Sequence, residues 1–575
     1  MALVMLLVLA VSGCVTVPTS GDIEQVEATG RPRDPRVEIH VEPPQRDASP
    51  RLIVSGFMQA MADYQSDYGV ARQFLSDDVA ESWRPDSGAV IVANSFYPST
   101  TEEGAQLQAP ITGELGADDT YRRTTGTYKI DFKMVRDAEG QWRISNPPEG
   151  LLLTQYDFDQ FYQEVKLYFY EPGYGNLVPD PIFLPKSRVT PTTLMQRLLE
   201  GPSAWLRPAV ATAIPPQTTL NVGTPVDDNG VAELSLSQAI MALNEQQRTL
   251  LAAQTVWTLR QVNGIAGVRF LMNGTPYVIR AAENQVVKID SLNNYDPQDE
   301  QHSSQLFGAT DTGVVRLDDS SAARDPEPVA GPFGSMTGVE EVAASTHGDQ
   351  LAVVTDGGRE LRTGLLAQAP WDAPLTQAEN LQRPQYTRFA ELLVVGEADG
   401  AQVLWRISDR EVVKMAVDLR TGEQIRALRV APDGVRAALV VEGTDGRRKL
   451  GLMRVNRSSG LPALEGFREV RLVPAQGEPV SVLEDVGWIS STTLMVLGAE
   501  TDGTPLRPYQ STQDGAQLRA VGSPDNWQAE QLAVAPRPVG TRAAMLGSQG
   551  RTWRNADDYT WTPFASDMRA IAFPG

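Results

Sequence analysis

The sequence is poor in the residues from which most catalytic and metal sites are built. Its 575 residues include one cysteine and three histidines, His40, His302 and His347. A single cysteine excludes an intramolecular disulfide, and no histidine has a second histidine or a cysteine at metal-ligand spacing. A G-x-S-x-G turn, an H-E-x-x-H helix and a P-loop are also missing. We therefore predict no catalytic residue, no metal site and no cofactor.

Positive charge is scarce as well. The 50 lysines and arginines are outnumbered by 72 aspartates and glutamates, which gives a net charge of −22. Such a surface is repelled by phosphate backbones, so we predict that the protein does not bind nucleic acid. It is not attracted to anionic lipid either, so any membrane anchor has to be hydrophobic.

The one cysteine follows a short apolar stretch. Residues 3–10 are uncharged and apolar, and Val11-Ser12-Gly13 leads directly into Cys14. An apolar run of this length that ends in small residues is typical of a secretory signal peptide. The polar residues that follow argue against the alternative, a buried cysteine in a membrane helix, because a spanning helix needs ~20 apolar residues.

This arrangement resembles the lipobox of bacterial lipoproteins. The resemblance implies that residues 1–13 are a signal peptide and that the thiol of Cys14 receives a diacylglycerol, with palmitate as a typical acyl chain. Two acyl chains anchor a protein stably, whereas one binds only marginally. The mature protein is then expected on the extracytoplasmic face of the cell membrane. Residues 14–50, which are polar and rich in proline, are predicted to form a disordered tether.

The first folded unit is predicted over residues 51–160. Apolar residues from Ile53 to Tyr64 recur at helical spacing, and alternation from Tyr128 to Met134 predicts a strand. Helices followed by a curved antiparallel sheet resemble the cone-shaped NTF2-like α+β fold. We expect a structural module here, because no polar constellation for chemistry accompanies the pattern.

The second unit is predicted over residues 165–290 and is also α+β. We expect a hairpin of residues 220–225 and 231–236, a strand at 277–279, and helices at 192–200 and 244–261. The strand Leu167-Tyr168-Phe169, the helix end Leu198-Leu199-Glu200-Gly201-Pro202, Ile214-Pro215 and the stretch 254–259 resemble a GerMN domain. That resemblance implies a non-catalytic module of exported proteins.

Residues 303–575 are repetitive and all-β. Pairs of apolar strands around a polar turn begin near residues 342, 386, 427, 486 and 532, spaced at about the length of a four-stranded propeller blade. A last strand at 568–575 lacks partners after it, whereas strands at 305–309 and 314–317 lack partners before them. We predict a ring of six blades, give or take one, that these strands close. A pair of β-sandwiches is the alternative.

Two groups of propeller residues are candidates for binding. Trp405, Trp488, Trp553 and Trp561 could form the floor of a sugar site, but one tryptophan per blade is typical of a core. The pairs Asp318-Asp319 and Glu340-Glu341 could flank a calcium or glycosidase site, but a chain with 72 acidic residues carries most of them on solvated surface. We predict that the tryptophans lie in the core and that the acidic pairs lie on the surface.

The order of these parts, from lipobox to terminal propeller, resembles the LpqB family of actinobacterial lipoproteins. The stretches Val17-Pro18-Thr19-Ser20-Gly21, Gly140-Gln141-Trp142-Arg143-Ile144 and Pro147-Pro148-Glu149-Gly150-Leu151 support the resemblance. It implies a non-enzymatic accessory of the MtrA–MtrB two-component system that contacts the extracytoplasmic region of the histidine kinase MtrB. One alternative is a scaffold that binds peptidoglycan or another envelope glycan. The other is a propeller hydrolase or lyase, which requires a polar cluster with perturbed acidity in the central channel.

Overall fold

The computed structural model describes residues 42–575, except for residues 65, 95–97, 101–103, 297–302, 318–324, 459, 475–476, 525–527, 538–539 and 558. The predicted signal peptide, Cys14 and most of the tether lie outside the described residues. So do His40, His302 and the Asp318-Asp319 pair.

The N-terminal domain packs helices against one sheet. Its first helix follows Ser49, whose hydroxyl accepts a hydrogen bond from the N–H of Leu52, and it buries Ile53 and Phe57 against the sheet. The helices are α1 (Pro50–Ala62), α2 (Gly69–Arg72), α3 (Asp77–Ala80) and α4 (Gln155–Phe161). The strands are β1 (Ala89–Val92), β2 (Ser99–Thr100), β3 (Ala105–Leu115), β4 (Tyr121–Asp131), β5 (Met134–Arg136), β6 (Trp142–Ile144) and β7 (Leu151–Thr154).

The sheet of this domain is mixed. Its strand order is β2-β3-β1-β7, with β4 paired to β3, and β7 runs parallel to β1. The expectation of an antiparallel sheet was therefore wrong for this pair of strands. After the β5–β6 hairpin the chain comes back to the sheet as β7, which lies beside β1 and runs in the same direction. The helix-then-sheet order is confirmed, and the NTF2-like assignment stays a prediction.

The second domain is built around one buried helix. It contains β8 (Tyr162–Tyr170), β9 (Leu177–Pro185), α5 (Pro191–Glu200), β10 (Val231–Leu236), α6 (Glu245–Leu259), β11 (Gly267–Met272), β12 (Thr275–Pro276) and β13 (Val287–Lys288). Asn244 and Gln247 cap the start of α6 reciprocally, and all of its residues from Leu250 to Leu259 are buried. This domain is the predicted α+β unit.

The expected hairpin of this domain forms, but irregularly. Leu220 and Val226 make isolated antiparallel bridges to Leu236 and Ala232, and the N–H of Glu233 donates to the carbonyl of Pro225 at 2.9 Å. Residues 220–225 are not a regular strand, and β10 also pairs in parallel with β11. Residues 277–279 are not a strand either, because β12 ends at Pro276. The regular partner of β10 lies beyond α6, in a crossover that hydrophobic alternation alone does not specify.

On both edges of the long β8–β9 hairpin, backbone groups that face outward are hydrogen-bonded or the N–H donor is missing. Along β8, Gln261 accepts a hydrogen bond from the N–H of Lys166 at 2.8 Å and donates one to its carbonyl at 2.6 Å. Along β9, Pro179, Pro181 and Pro185 have no N–H to donate, and Phe183 donates its N–H to the carbonyl of Asp119 at 2.8 Å. Neither edge can therefore pair with a further strand.

The last domain is a propeller of six four-stranded blades, as predicted. Blades 1 to 3 contain β14 (Leu306–Thr310), β15 (Gly313–Leu317), β16 (Glu327–Pro328), β17 (Glu341–Ala344), β18 (Gln350–Thr355), β19 (Glu360–Leu365), β20 (Asp372–Leu375), β21 (Gln385–Tyr386), β22 (Leu392–Ala398), β23 (Ala401–Ser408) and β24 (Glu411–Val417). Blade 4 contains β25 (Gln424–Val430), β26 (Arg436–Glu442), β27 (Arg448–Asn456) and β28 (Ala463–Glu469).

The remaining strands complete the ring. They are β29 (Val482–Ser490), β30 (Thr493–Ala499), β31 (Arg507–Thr512) and β32 (Leu518–Ala520) in blade 5, β33 (Ala529–Ala535), β34 (Arg542–Gly547), β35 (Thr552–Asn555) and β36 (Trp561–Ala565) in blade 6, and β37 (Ala570–Ala572) in blade 1. The inner strand of blade 1 is β37, which pairs antiparallel with β14 so that Ile571 lies opposite Gly308. The predicted closure by the last strand is confirmed.

We expect the ring to depend on this closing strand. Ile571 is fully buried, so Ile571→Ala should lower the free energy of unfolding by about 2–5 kcal/mol through lost burial and a cavity. The measurement is the shift of the urea unfolding midpoint, followed by tryptophan fluorescence.

The matched control is Val412→Ala in β24, whose side chain is 37% exposed and should change stability by less than about 0.5 kcal/mol. Equal midpoints for both variants would contradict closure through β37.

Candidate functional site

The propeller residues that were weighed as candidates for binding do not gather into one site. Trp405, Trp488 and Trp561 are buried in blade cores, and Trp553 is half-buried, so the core interpretation holds for them. His347 lies exposed in the turn between β17 and β18, with Nδ1 3.3 Å from the hydroxyl of Thr346. Within the described part of the chain, no group of three or more histidine, cysteine or acidic side chains is arranged to hold a metal ion.

The central channel contains an ion pair between Arg383, just before β21, and Asp485 of β29. Arg383 donates to both carboxylate oxygens of Asp485, at 2.8 and 2.7 Å, and to the carbonyl of Leu532 at 2.9 Å. The N–H of Leu532 donates to the same carboxylate at 2.8 Å. Because side chains of Arg383 and Asp485 are less than a tenth exposed, this network ties blades 3, 5 and 6 together in a low-dielectric setting.

Glu341 enters the same cluster from blade 2. Its carboxylate accepts a hydrogen bond from Gln531 at 2.9 Å, and Gln531 in turn accepts one from the N–H of Ile571 at 2.8 Å. Burial raises the pKa of Glu341 to about 7, although nearby Arg383 opposes the shift. The expectation that Glu341 lies on solvated surface was wrong, because the inner strand of a blade turns alternate side chains into the channel.

This cluster is the one that the hydrolase or lyase alternative requires, but it has little space beside it. The cavity along the channel measures about 50 Å³, room for a few water molecules. The hydrogen bonds of the cluster link blades 2, 3, 5 and 6 around the channel.

A more extensive polar site lies where the propeller meets the second domain. Trp205 follows α5 and donates its indole N–H to the carbonyl of Gly466 at 2.8 Å. Arg454 donates to the carbonyl of Trp205 at 2.8 Å, and Arg468 lies 4.5 Å from the ring centroid, within reach of a cation–π interaction. Gly466 has a φ of 65°, and a Cβ there would lie 2.8 Å from the Arg454 guanidinium.

The same contact has a small apolar centre. Val178, Leu206 and Ala209 of the second domain pack against Val435 of blade 4, and all four are fully buried or nearly so. Around this centre Asn176 donates to the carbonyl of Asp433 at 3.4 Å. Buried apolar anchors surrounded by polar contacts are typical of the energetic centre of a protein interface. We call the contact formed by residues 176–180, 203–209 and 433–436 with Arg454, Gly466 and Arg468 the joint.

The N-terminal domain contacts both of the others. Its Tyr121 and Phe158 stack with a centroid distance of 5.2 Å, and Phe183 of β9 packs 5.4 Å from Tyr121. On the propeller side, the N–H of Arg123 donates to the carbonyl of Asp514 at 3.3 Å, and Arg471 donates to the hydroxyl of Thr125. Contacts thus link the three folded domains pairwise.

No pattern in the sequence singled out the joint. Trp205 stands outside any periodic pattern, and its partners lie about 250 residues further along the chain. The sequence feature that could have indicated it is Trp205 itself, a large aromatic residue in the polar loop that follows Gly201-Pro202 at the end of α5.

Comparison with known proteins agrees with this architecture. The family descriptions that match are "Lipoprotein LpqB, N-terminal domain" over residues 43–159, "Sporulation and spore germination" over 166–278 and "Lipoprotein LpqB beta-propeller domain" over 313–574. Lipoprotein LpqB of Cutibacterium acnes is 30% identical over 98% of this chain and 96% of its own length. The chain belongs to the LpqB lipoprotein family. LpqB of Streptomyces avermitilis is 28% identical over 87% of this chain and 86% of its own.

Solved structures resemble parts of this LpqB-family chain. The first GerMN domain of the sporulation protein GerM from Bacillus subtilis is 22% identical, with a TM-score of 0.17, over 20% of this chain and 86% of that one. A chain of the nidogen/laminin complex is 8% identical, with a TM-score of 0.34, over 47% of this chain and 97% of that one. No functional conclusion follows at these scores. None of the helices in the described residues is long and apolar enough to cross a membrane.

We expect Trp205 to be the main energetic anchor of the joint. Trp205→Ala removes the indole donor, the ring under Arg468 and its packing, and should cost about 2–4 kcal/mol of domain docking. In thermal unfolding, the propeller transition should then separate from that of the other domains, and small-angle scattering should report a larger radius of gyration.

The matched control is Trp371→Ala, because Trp371 also lies under an arginine, Arg362 at 4.4 Å, but in blade 2 and away from the joint. If both variants keep the wild-type radius of gyration, Trp205 is not the anchor.

Proposed function

We propose that this protein is a membrane-anchored extracytoplasmic lipoprotein that binds the sensor region of an MtrB-like histidine kinase and modulates signalling to cell-wall metabolism and division. The observation that carries the proposal is that the three folded domains contact one another pairwise, with the joint connecting the second domain to the propeller. No residue is assigned a catalytic role, and no cofactor is part of the proposal.

Domains that contact one another are suited to this role because they keep a defined relative geometry. An accessory protein changes kinase output only if it binds one conformation of the kinase more tightly than another. Domains that move independently transmit little of that preference. A second domain and a propeller fixed to each other through Trp205 and Val435 present a defined geometry to the partner. The LpqB family name supports the location, because a lipoprotein is attached to a membrane.

The lipid anchor adds affinity without new contacts. A chain held at the membrane by Cys14 is confined to the layer in which the sensor region of the kinase lies. Binding to the kinase then becomes effectively intramolecular. For short flexible linkers, this raises the local concentration to the millimolar range. A modest intrinsic affinity is then sufficient for function.

The direct test is binding between the soluble chain, starting at Val15, and the purified extracytoplasmic domain of the partner kinase. We expect saturable binding with a Kd in the micromolar range or tighter. The Trp205→Ala chain should alter kinase autophosphorylation less than wild type does, and Trp371→Ala should match wild type.

No binding to the kinase domain, together with retention on purified cell wall, would overturn the proposal in favour of an envelope glycan scaffold. The burial of Trp405, Trp488 and Trp561 leaves that scaffold without the aromatic floor considered for it.

We expect Cys14→Ala to abolish anchoring. Alanine has no thiol to form the thioether with diacylglycerol, so the variant should lose labelling by a palmitate analogue and should not be processed to an N-terminus at residue 14. Both are measured after membrane fractionation, by in-gel detection of the label and by mass spectrometry of the N-terminal peptide.

Ser12→Ala is the control, because alanine keeps the small residue that the cleavage pattern requires. Labelling that persists in Cys14→Ala would contradict the anchor.

A further inference from the structure

Strand β4 of the N-terminal domain lies at the edge of its sheet. It pairs with β3 on one side only, and just beyond its end the N–H of Phe132 donates to the carbonyl of Ala105 in β3 at 2.9 Å. Alternate residues of an antiparallel strand direct both backbone groups toward the neighbouring strand, and the others direct them away. Since Phe132 faces β3, the backbone groups of Asp131, Lys129 and Thr127 point outward.

Both ends of this outer edge are already occupied. At the first end the N–H of Arg123 donates to the carbonyl of Asp514 in the propeller at 3.3 Å. At the other end the side-chain amide of Asn146 donates to the carbonyl of Asp131 at 2.6 Å. The two outward residues between these ends have no backbone hydrogen bond to any other part of the chain that the structure describes. Two N–H donors and two C=O acceptors are therefore left for a further strand.

The open edge belongs to a basic stretch of an acidic protein. Residues 121–136 include five basic residues and one acidic residue, although the net charge of the whole chain is −22. Lys129 and Lys133 are exposed, and neither makes an ion pair with a residue that the structure describes. Opposite charges on paired strands are favourable, whereas like charges are unfavourable. The edge therefore favours an acidic strand and disfavours a second copy of itself.

The two faces of β4 define the partner further. Tyr128 and Ile130 are half-buried and pack against the core of the domain, whereas Thr127 and Lys129 are exposed on the opposite face. A strand that lies beside β4 continues both faces, because its side chains alternate with the same period. A matching segment has apolar residues that extend the core face and acidic residues on the face of Lys129.

We propose that the outer edge of β4, between Arg123 and Asp131, accepts an extended acidic segment of a partner protein as an additional strand. Main-chain hydrogen bonds supply the affinity in this mode of recognition, and the alternating side chains supply the specificity. The interval between the two occupied ends is about 27 Å long at 3.4 Å per residue, so only a short segment fits.

The added strand continues an interface that the protein already has. The turn that contains Asp514 belongs to blade 5, so a segment on the open edge lies beside the propeller as well as the N-terminal domain. Its binding should favour the arrangement in which these two domains are in contact. This inference goes beyond the proposed function, because the site is defined by the strand that it accepts and not by the kinase.

The test is binding of two labelled, capped peptides to the soluble chain starting at Val15, measured by fluorescence polarisation. One peptide alternates valine and glutamate, and the other alternates valine and lysine. We expect saturable binding of the acidic peptide and about 10-fold weaker binding of the basic one, since several cross-strand charge pairs change sign. Hydrogen–deuterium exchange should slow in β4 when the acidic peptide binds.

Two variants locate the site on the edge. Thr127→Pro removes one outward N–H and should weaken binding of the acidic peptide at least about 10-fold, in a position where edge strands tolerate proline. Lys129→Glu keeps the backbone donors and should reverse the preference between the two peptides. The matched control is Lys414→Glu in β24, which makes the same change of charge at an exposed strand position and should leave both affinities unchanged.

Three results would overturn the proposal. The first is no saturable binding of the acidic peptide, or binding that Thr127→Pro and Lys129→Glu leave as it is in wild type. The second is binding that appears only when the chain starts at residue 42, which would assign the edge to the chain's own tether. The third is a wild-type dimer that Thr127→Pro dissociates, which would assign the edge to a second copy.

Discussion

The backbone groups at strand edges impose the constraint on which this structure most depends. A sheet-rich chain has to pair, cover or remove every exposed N–H and C=O, because an open edge invites aggregation. The propeller meets the constraint by returning β37 to β14, so that its sheets close into a ring. The β8–β9 hairpin meets it with Gln261 on one edge and with prolines and Asp119 on the other. The last of these contacts also joins two domains.

The interface between domains is polar because it is assembled from such edges and from turns. Its apolar centre is small, consisting of Val178, Leu206, Ala209 and Val435, and charged or hydrogen-bonding groups surround it. Interfaces of this kind resemble transient protein–protein contacts more than domain cores. The channel cluster around Asp485 is also polar, but it lies within one closed ring.

Repetition made the propeller predictable. Each blade alternates apolar strands with turns such as Asp399-Gly400, whose positive φ values of 55° and 73° suit a two-residue hairpin turn. The hairpin expected at residues 220–236 forms only irregularly. The regular partner of β10 is β11, which lies beyond the long helix α6 and which no local pattern indicates. Similarly, nothing in the sequence distinguished Glu341 from the many solvated acidic residues, because its environment is created by the surrounding blades.

The sequence by itself determined the order of the parts, the amphipathic helices, the number of blades and the strand that closes the ring. These follow from patterns that repeat over a few residues and from turn chemistry that is local to the chain. Only the tertiary structure decided how the domains are joined, since Trp205 and Gly466 are 261 positions apart and meet through shape and hydrogen bonding.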